Sequence, residues 1–395
     1  MDIKFKGIVN IKDFYDLYLP QLFAYAHNDR DINLTLDLQD ASFISPSVLC
    51  DLLSYLSFIN YKKEGIAAIL FGWNTPLIAF LENTDFFLMA DIGKTVLTDV
   101  TFSHGDYPYS TRARFKRIKD NTDKIRRINL PSYCDYYGSS QEIIYHQKGE
   151  NVDVEKDRVS QMVQRDFWSL ISRKGRAIES FGIRLEDFDY LANAYSEIII
   201  NSYFHGGSNY CFYTFQNYNK SGLSFVSSDT GMGYYNSIRE KILEGKRPNG
   251  LFTDNEFLDV RDEQTKSLMG IIEGLLYRHY NPKQYFDHGI MDIIKIVFGV
   301  GRNNNAIVRI QSGYAMLQMD IVSLHNLFEG MESTNLDYGT YSGMVPKEQM
   351  FKEIVLNKKS QQAWIESKHL VFYNYNFPGI HISVSIDPRK DKGSR

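Results

Sequence analysis

A chain of 395 residues is too long for one ordinary hydrophobic core, so at least two domains are expected. Apolar residues at 43% and charged residues at 23% exclude a mainly disordered chain. Forty-four basic against 48 acidic residues leave a net charge of −4, too balanced to suggest a whole-chain nucleic-acid or membrane-surface binder. The three cysteines, Cys50, Cys134 and Cys211, are far apart and odd in number, so they suit neither a disulfide scaffold nor a zinc site. MDIKFKGIVN has no apolar leader core, and no run reaches the ~18 apolar residues of a membrane span; a cytoplasmic, soluble protein is expected.

Residues 1–98 read as alternating strands and helices. IKFKGIV (3–9) predicts a strand, and apolar spacing from Ile11 to Ala26 predicts a helix kinked at Pro20. INLTLDL (32–38) alternates as a half-buried strand does. Ser45 stands as N-cap and Pro46 as first helical residue of a helix whose stripe is Leu49, Leu52, Leu53, Leu56 and Ile59, ended by Gly65. IAAILFG (66–72) follows as an apolar strand and TPLIAFLENTDF as one more helix. Such alternation predicts an α/β layer.

Residues 99–155 change character. TRARFKRIKDNTDKIRR (111–127) has eight basic and two acidic residues and precedes a Tyr-, Ser- and Gly-rich stretch, which reads as a basic linker or small irregular subdomain. A solvated face or hinge explains the run better than a phosphate-binding patch, because no nucleic-acid module accompanies it. From about Val154 to Gly206 the pattern is helical. CFYTFQNY and LSFVSSD are predicted strands separated by an NKSG turn (219–222). A mixed region with the makings of a lid (240–286) comes next, then an apolar helix, HGIMDIIKIVFG (288–299). AIVRIQS and YAMLQM read as a hairpin, and HLVFYNY and GIHISVSI as two closing strands.

Three features carry chemistry. Glu197, Asn201 and His205 are spaced four apart, so on a helix they fall within about 80° of one another. A carboxylate one turn from a carboxamide suits a magnesium–phosphate site: the amide oxygen enters the metal shell while the carboxylate orients or deprotonates a water. Polar residues at this spacing also occur on any exposed helix face. Next, an apolar strand runs straight into Asp229-Thr230-Gly231-Met232-Gly233. A strand-ending acid in a dry pocket can accept a hydrogen bond from an exocyclic amine such as adenine N6, and the glycines let backbone pass under a planar ligand. The same pattern occurs in plain turns. Last, Gly289 opens a helix whose free N–H groups could face a phosphate, or it is a simple helix start.

The order and spacing of these features together are similar to the Bergerat-fold (GHKL/HATPase) ATPases, over roughly residues 156–388. A Glu-x-x-x-Asn helix is followed 28 residues later by strand–DxGxG, and a glycine-initiated helix comes 56 residues after Gly233. The resemblance implies a two-layer α/β sandwich that binds ATP and Mg²⁺. Glu197 would be the general base and Asn201 the metal ligand. Asp229 would read the adenine, Gly231 and Gly233 would floor the base pocket, and Gly289 would form the phosphate-facing turn. Two departures stand out: the second glycine motif is reduced to His288-Gly289-Ile290, and Ile380 in PGIHI (378–382) replaces the family's Thr beside the base. A carboxylate at position 197 points to hydrolysis. The implied activity is slow ATP hydrolysis that switches a protein–protein surface, with an anti-sigma-type serine kinase or an inactive nucleotide-fold scaffold as alternatives.

LDLQDASFISPSVL, within residues 30–90, resembles the STAS fold of anti-sigma-factor antagonists. The expected organisation is thus a STAS-like α/β domain (1–98), a basic connector (99–155) and a Bergerat-fold domain (156–388), α/β (α+β) overall. Ser47 matches the serine that such antagonists have phosphorylated, with Ser45 in place of the usual Asp and Val48 in place of the usual Gly; Ser45 and Ser47 also serve simply to start the helix. The implied partners are ATP and a protein docked on the STAS-like domain, with a homodimer allowed and neither nucleic acid nor membrane expected.

Overall fold

The computed structural model describes residues 1–28, 32–63, 65–72, 75–83, 86–92, 95–102, 134–138, 161, 198, 211–218, 222–247, 249–280, 290–301, 304–330 and 344–388. The fold is mixed α/β. The chain divides into two units, the first comprising Met1–Tyr145, Asn209–Gln216 and Phe225–Thr230, and the second the remainder. The division passes through two strands of the 211–229 region. Among the described residues no helix is long and apolar enough to cross a membrane.

In the first unit, β1 (Asp2–Val9), β2 (Asn33–Ile44), β3 (Ile66–Phe71) and β4 (Leu97–Phe102) form a parallel sheet in the order β1-β2-β3-β4. Sequential parallel strands joined by right-handed crossovers put every connecting helix on one face. The side chains obey this: Ile3, Phe5, Leu34, Leu36, Ala67, Ile69 and Phe71 are buried, while the residues between them are partly or fully exposed. Edge strand β1 is protected by exposed Lys4 and Lys6 and by a bulge at Gly7 (φ +59°). The expected domain boundary after residue 98 falls inside β4, so the layer continues through Phe102.

The predicted 11–26 helix is three pieces: α1 (Ile11–Asp13), a π-helical turn (Phe14–Tyr18) and α2 (Leu19–Ala26). Pro20 stands in the first turn of α2, where its missing N–H costs nothing, so the change of helix register replaces the expected kink. Next come α3 (Pro46–Lys62), α4 (Thr75–Asn83) and α5 (Phe86–Ile92); the last two replace the single helix expected from residue 75. Helix α3 differs most from its sequence pattern. Pro46 to Ser57 are buried without a break, so it is enclosed on all sides rather than along one stripe. Beyond the four-stranded sheet, the first unit holds β5 (Cys134–Gly138), which pairs antiparallel with β6 (Cys211–Tyr218), and most of β7 (Gly222–Asp229). The Ser54 hydroxyl of α3 donates to the Ser228 carbonyl of β7 at 3.0 Å.

The second unit contains α6 (Gly233–Leu243), α7 (Asp254–Asp259), α8 (Glu263–Tyr280), α9 (Ile290–Gly301), β8 (Asn304–Asp320), α10 (Ile321–Leu327), β9 (Phe328–Glu329), β10 (Val345–Pro346), α11 (Glu348–Leu356), α12 (Lys358–Glu366) and β11 (Leu370–Pro388). The hairpin expected at 306–319 is a correction. Residues 304–320 form one strand, and the two closing strands are likewise one, β11, antiparallel to β8 from Leu370↔Leu317 to Pro388↔Asn304. Gly313 (φ +62°) and Gly379 (φ +80°) let the chains bend without turning back, and β11 takes up its extra residues as irregularities between Phe372 and Ile380. Ala306, Val308 and Ile310 pair with Ile386, Val384 and Ile382 to make an apolar stripe, and helices α8 and α9 pack on these strands.

Most of the segment expected to be a lid is helical and tied down: Arg247 and Glu273 form a buried ion pair at 2.8 Å, with side chains 6% and 5% exposed. The same Glu273 oxygen accepts the Phe252 N–H at 2.8 Å, and the Arg247 guanidinium lies 5.2 Å from the Phe257 ring centre. Burial nevertheless holds the Glu273 carboxyl above the usual carboxylate range, against the pull of Phe252 N–H and Arg247. Asp262 precedes α8 and accepts the Thr265 hydroxyl at 2.5 Å and its N–H at 2.8 Å, which holds its carboxyl below the usual range.

Glu273→Ala leaves the buried Arg247 guanidinium with only the exposed Asp254 carboxylate at 2.7 Å and removes the acceptor of the Phe252 N–H. It should therefore cost about 3 kcal/mol in urea unfolding, whereas Arg247→Met with Glu273→Leu should recover only part of that loss, because the Phe252 N–H stays unpaired. Because folding lowers the Asp262 pKa, its contribution is present above the unfolded value and disappears as acid titrates the folded carboxyl. Asp262→Asn should therefore flatten the stability profile below about pH 4, measured by urea unfolding at successive pH values.

Candidate functional site

Strand β7 delivers the acid of the DxGxG segment. Ser224 to Asp229 are all buried, and Asp229 closes the strand with 0% exposure. A carboxylate this far from water keeps its hydrogen-bonding strength, and any ligand reaches it only when its cover moves aside. Asp229 belongs to the first unit, while Gly231 and Gly233 belong to the second.

The glycine turn leads directly into α6. Gly233 has φ +76°, a conformation that L side chains avoid, and a Cβ there would lie 2.7 Å from Ser312 Oγ and 3.2 Å from the Gly379 carbonyl oxygen. Two separate constraints thus require glycine at 233. Gly379 lies in the PGIHI segment, next to Ile380, which pairs with Ser312. The second unit therefore brings together two stretches 146 residues apart, Gly233 and Gly379, that the family resemblance set beside one ligand.

Helix α6 is then held from behind by α8. Cβ atoms built on Gly270 and Gly274 would each come within 2.5 Å of α6, at the Tyr235 nitrogen and the Tyr234 ring respectively. The two helices cross closely because these glycines, one turn apart, share a face. Tyr235 stacks on Phe257 at 4.7 Å, and its hydroxyl donates to the Phe257 carbonyl at 3.0 Å. Burial raises the Tyr235 hydroxyl pKa, so it stays a neutral donor. Sequence reasoning passed over Ser312, Gly270 and Gly274; the i, i+4 glycine pair in GIIEG was the available signal for a close helix crossing.

Glu197, Asn201, His205 and Gly289 lie outside the described residues, as does the 111–127 basic run. Ile198, the neighbour of Glu197, is helical and buried, as an apolar residue on that predicted helix should be. Among the described residues no group of three or more His, Cys, Asp or Glu side chains could hold a metal. The assigned amide ligand, Asn201, is of another residue type and lies outside the described residues. Ser47 is 7% exposed and Ser45 makes no capping hydrogen bond, so the start of α3 is held by Pro46 and by burial.

Gly233→Ala should destabilise the protein by about 1–3 kcal/mol because of its positive φ, and Gly270→Ala should also destabilise it, because the Tyr235 backbone opposes the new methyl. Chemical denaturation measures both. No family model, no curated protein and no solved structure matches this chain.

Proposed function

We propose that the protein binds ATP with Mg²⁺ in the cytoplasm, hydrolyses it slowly and uses the cycle to switch a protein–protein contact. The carrying observation is the buried Asp229 at the end of an apolar strand, leading into a glycine turn that packs on the Gly379–Ile380 corner. The donor set suits a nucleotide. Asp229 would accept from the adenine amine, Gly231 and Gly233 would line the base, and Gly289 would face the phosphates. Asn201 would hold the metal, which supplies charge neutralisation at the phosphates, and Glu197 would orient a water. The first unit, with its parallel sheet and enclosed α3, is the proposed docking body for a protein partner. A serine kinase acting on Ser47 of its own chain is disfavoured by the burial of that residue.

Calorimetry with Mg·ATP should show binding to the wild-type protein and a loss of about 10- to 100-fold in Asp229→Asn. Equal affinity in the variant would remove the adenine assignment. Glu197→Ala should bind normally and release no phosphate. Label from ATP appearing on protein instead of as free phosphate would favour the kinase reading. Because Asp229 is covered, the association rate in stopped-flow mixing should level off at high ATP, as an opening step requires.

A further inference from the structure

Helix α6 begins without a cap of its own. Its N-cap residue is Met232, whose side chain makes no capping hydrogen bond. The Tyr234 N–H is satisfied from another element: it donates to Ser312 Oγ of β8 at 3.1 Å. That hydroxyl donates onward to the Gly379 carbonyl of β11 at 3.1 Å, and Ser312 itself is 3% exposed. One buried hydroxyl therefore joins the start of α6 to the β11 corner, between Gly233 and Gly379, both of which have positive φ.

The arrangement recurs one residue along β8. After Gly313, also at positive φ, the Tyr314 N–H donates to Ser267 Oγ at 2.9 Å, and Ser267 donates to the Glu263 carbonyl at 2.8 Å. A Cβ on Gly313 would collide with the Ser267 hydroxyl, as one on Gly233 would with Ser312. Ser267 ties β8 to α8, however, and its hydrogen bonds run to Tyr314 and Glu263 rather than to the start of α6. It is a built-in comparison: the same chemistry and a similar depth, on the far side of Gly313.

We propose that Ser312 is the positioning residue of the glycine turn, holding the Gly231–Gly233 backbone and the Gly379–Ile380 corner in one register so that a ligand meets them as a single preformed surface. The hydroxyl is suited to this because it can accept from a helix N–H and donate to a carbonyl at once, which neither a methyl nor a carboxylate can do. Losing it leaves a helix N–H and a buried carbonyl without their partner and frees the two backbone segments to shift separately. The ligand consequence rests on the ATP reading; the positional one does not.

The test pairs amide exchange at Tyr234 with Mg·ATP calorimetry in Ser312→Ala and Ser267→Ala. Ser312→Ala should speed Tyr234 exchange by about five- to tenfold and weaken ATP by a similar factor, with the melting temperature changed by only a few degrees. Ser267→Ala should change Tyr234 exchange and ATP affinity by less than about twofold. Should Ser312→Ala fail to fold, Ser312→Cys keeps the volume with a poor hydrogen-bonding group and should show the same pair of changes. Unchanged Tyr234 exchange in the Ser312 variant, or an equal effect from Ser267→Ala, overturns the assignment. Wild-type protein that takes up no Mg·ATP defeats the ATP reading alone, and the exchange comparison still decides the role of Ser312.

Discussion

Close backbone approach is the constraint on which the second unit depends. At Gly233 the chain passes Ser312 and Gly379 with no room for a side chain, and at Gly270 and Gly274 helix α8 meets α6 under the same restriction. Dispersion and backbone hydrogen bonding act at short range, so contacts this tight fix the position of α6 more narrowly than an ordinary layer of Leu and Ile would. The glycine turn inherits that precision because it is the first thing α6 is attached to. A turn carrying two glycines would otherwise belong to the mobile end of a protein.

A second theme is the use of buried polar groups to set geometry. Glu273 holds Arg247 and the Phe252 N–H at once, and Ser312 and Ser267 each relay a hydrogen bond from an amide to a carbonyl. None of these is a cheap way to gain stability, since desolvation offsets much of the attraction. Their value lies in direction: a hydrogen-bonded hydroxyl or ion pair accepts one arrangement of its neighbours where an apolar contact accepts several. The raised pKa of Glu273 records the same balance, with burial outweighing the Phe252 and Leu251 N–H groups and Arg247.

Much of the first unit was legible in the residues. Alternating apolar positions in residues 32–38 announced a half-buried strand, the strands at 3–9 and 66–72 were recognised as such, and Ser45-Pro46 marked the start of α3 correctly. The enclosure of α3 was not legible, because its Ser and Asp residues look like a solvent face but are buried, Ser54 bonding to Ser228 of a strand 174 residues away. In the second unit the strands were recognised but cut at Gly313 and Gly379, since glycine signals a turn and a bend in the same way. Ser312 carried no signal at all: a lone serine in a strand becomes informative only when its partners are in place.

The residues by themselves determined the α/β character, the apolar faces of the strands and the placement of Asp229 directly before a glycine turn, because periodicity and backbone preference are local properties. Tertiary structure alone decided that β8 and β11 are single bent strands, that Gly233 lies against Gly379, and that one serine hydroxyl joins them. Those facts depend on which distant segments meet, and pairing over about fifty residues or more is set by the mutual fit of whole surfaces that no short window of sequence contains.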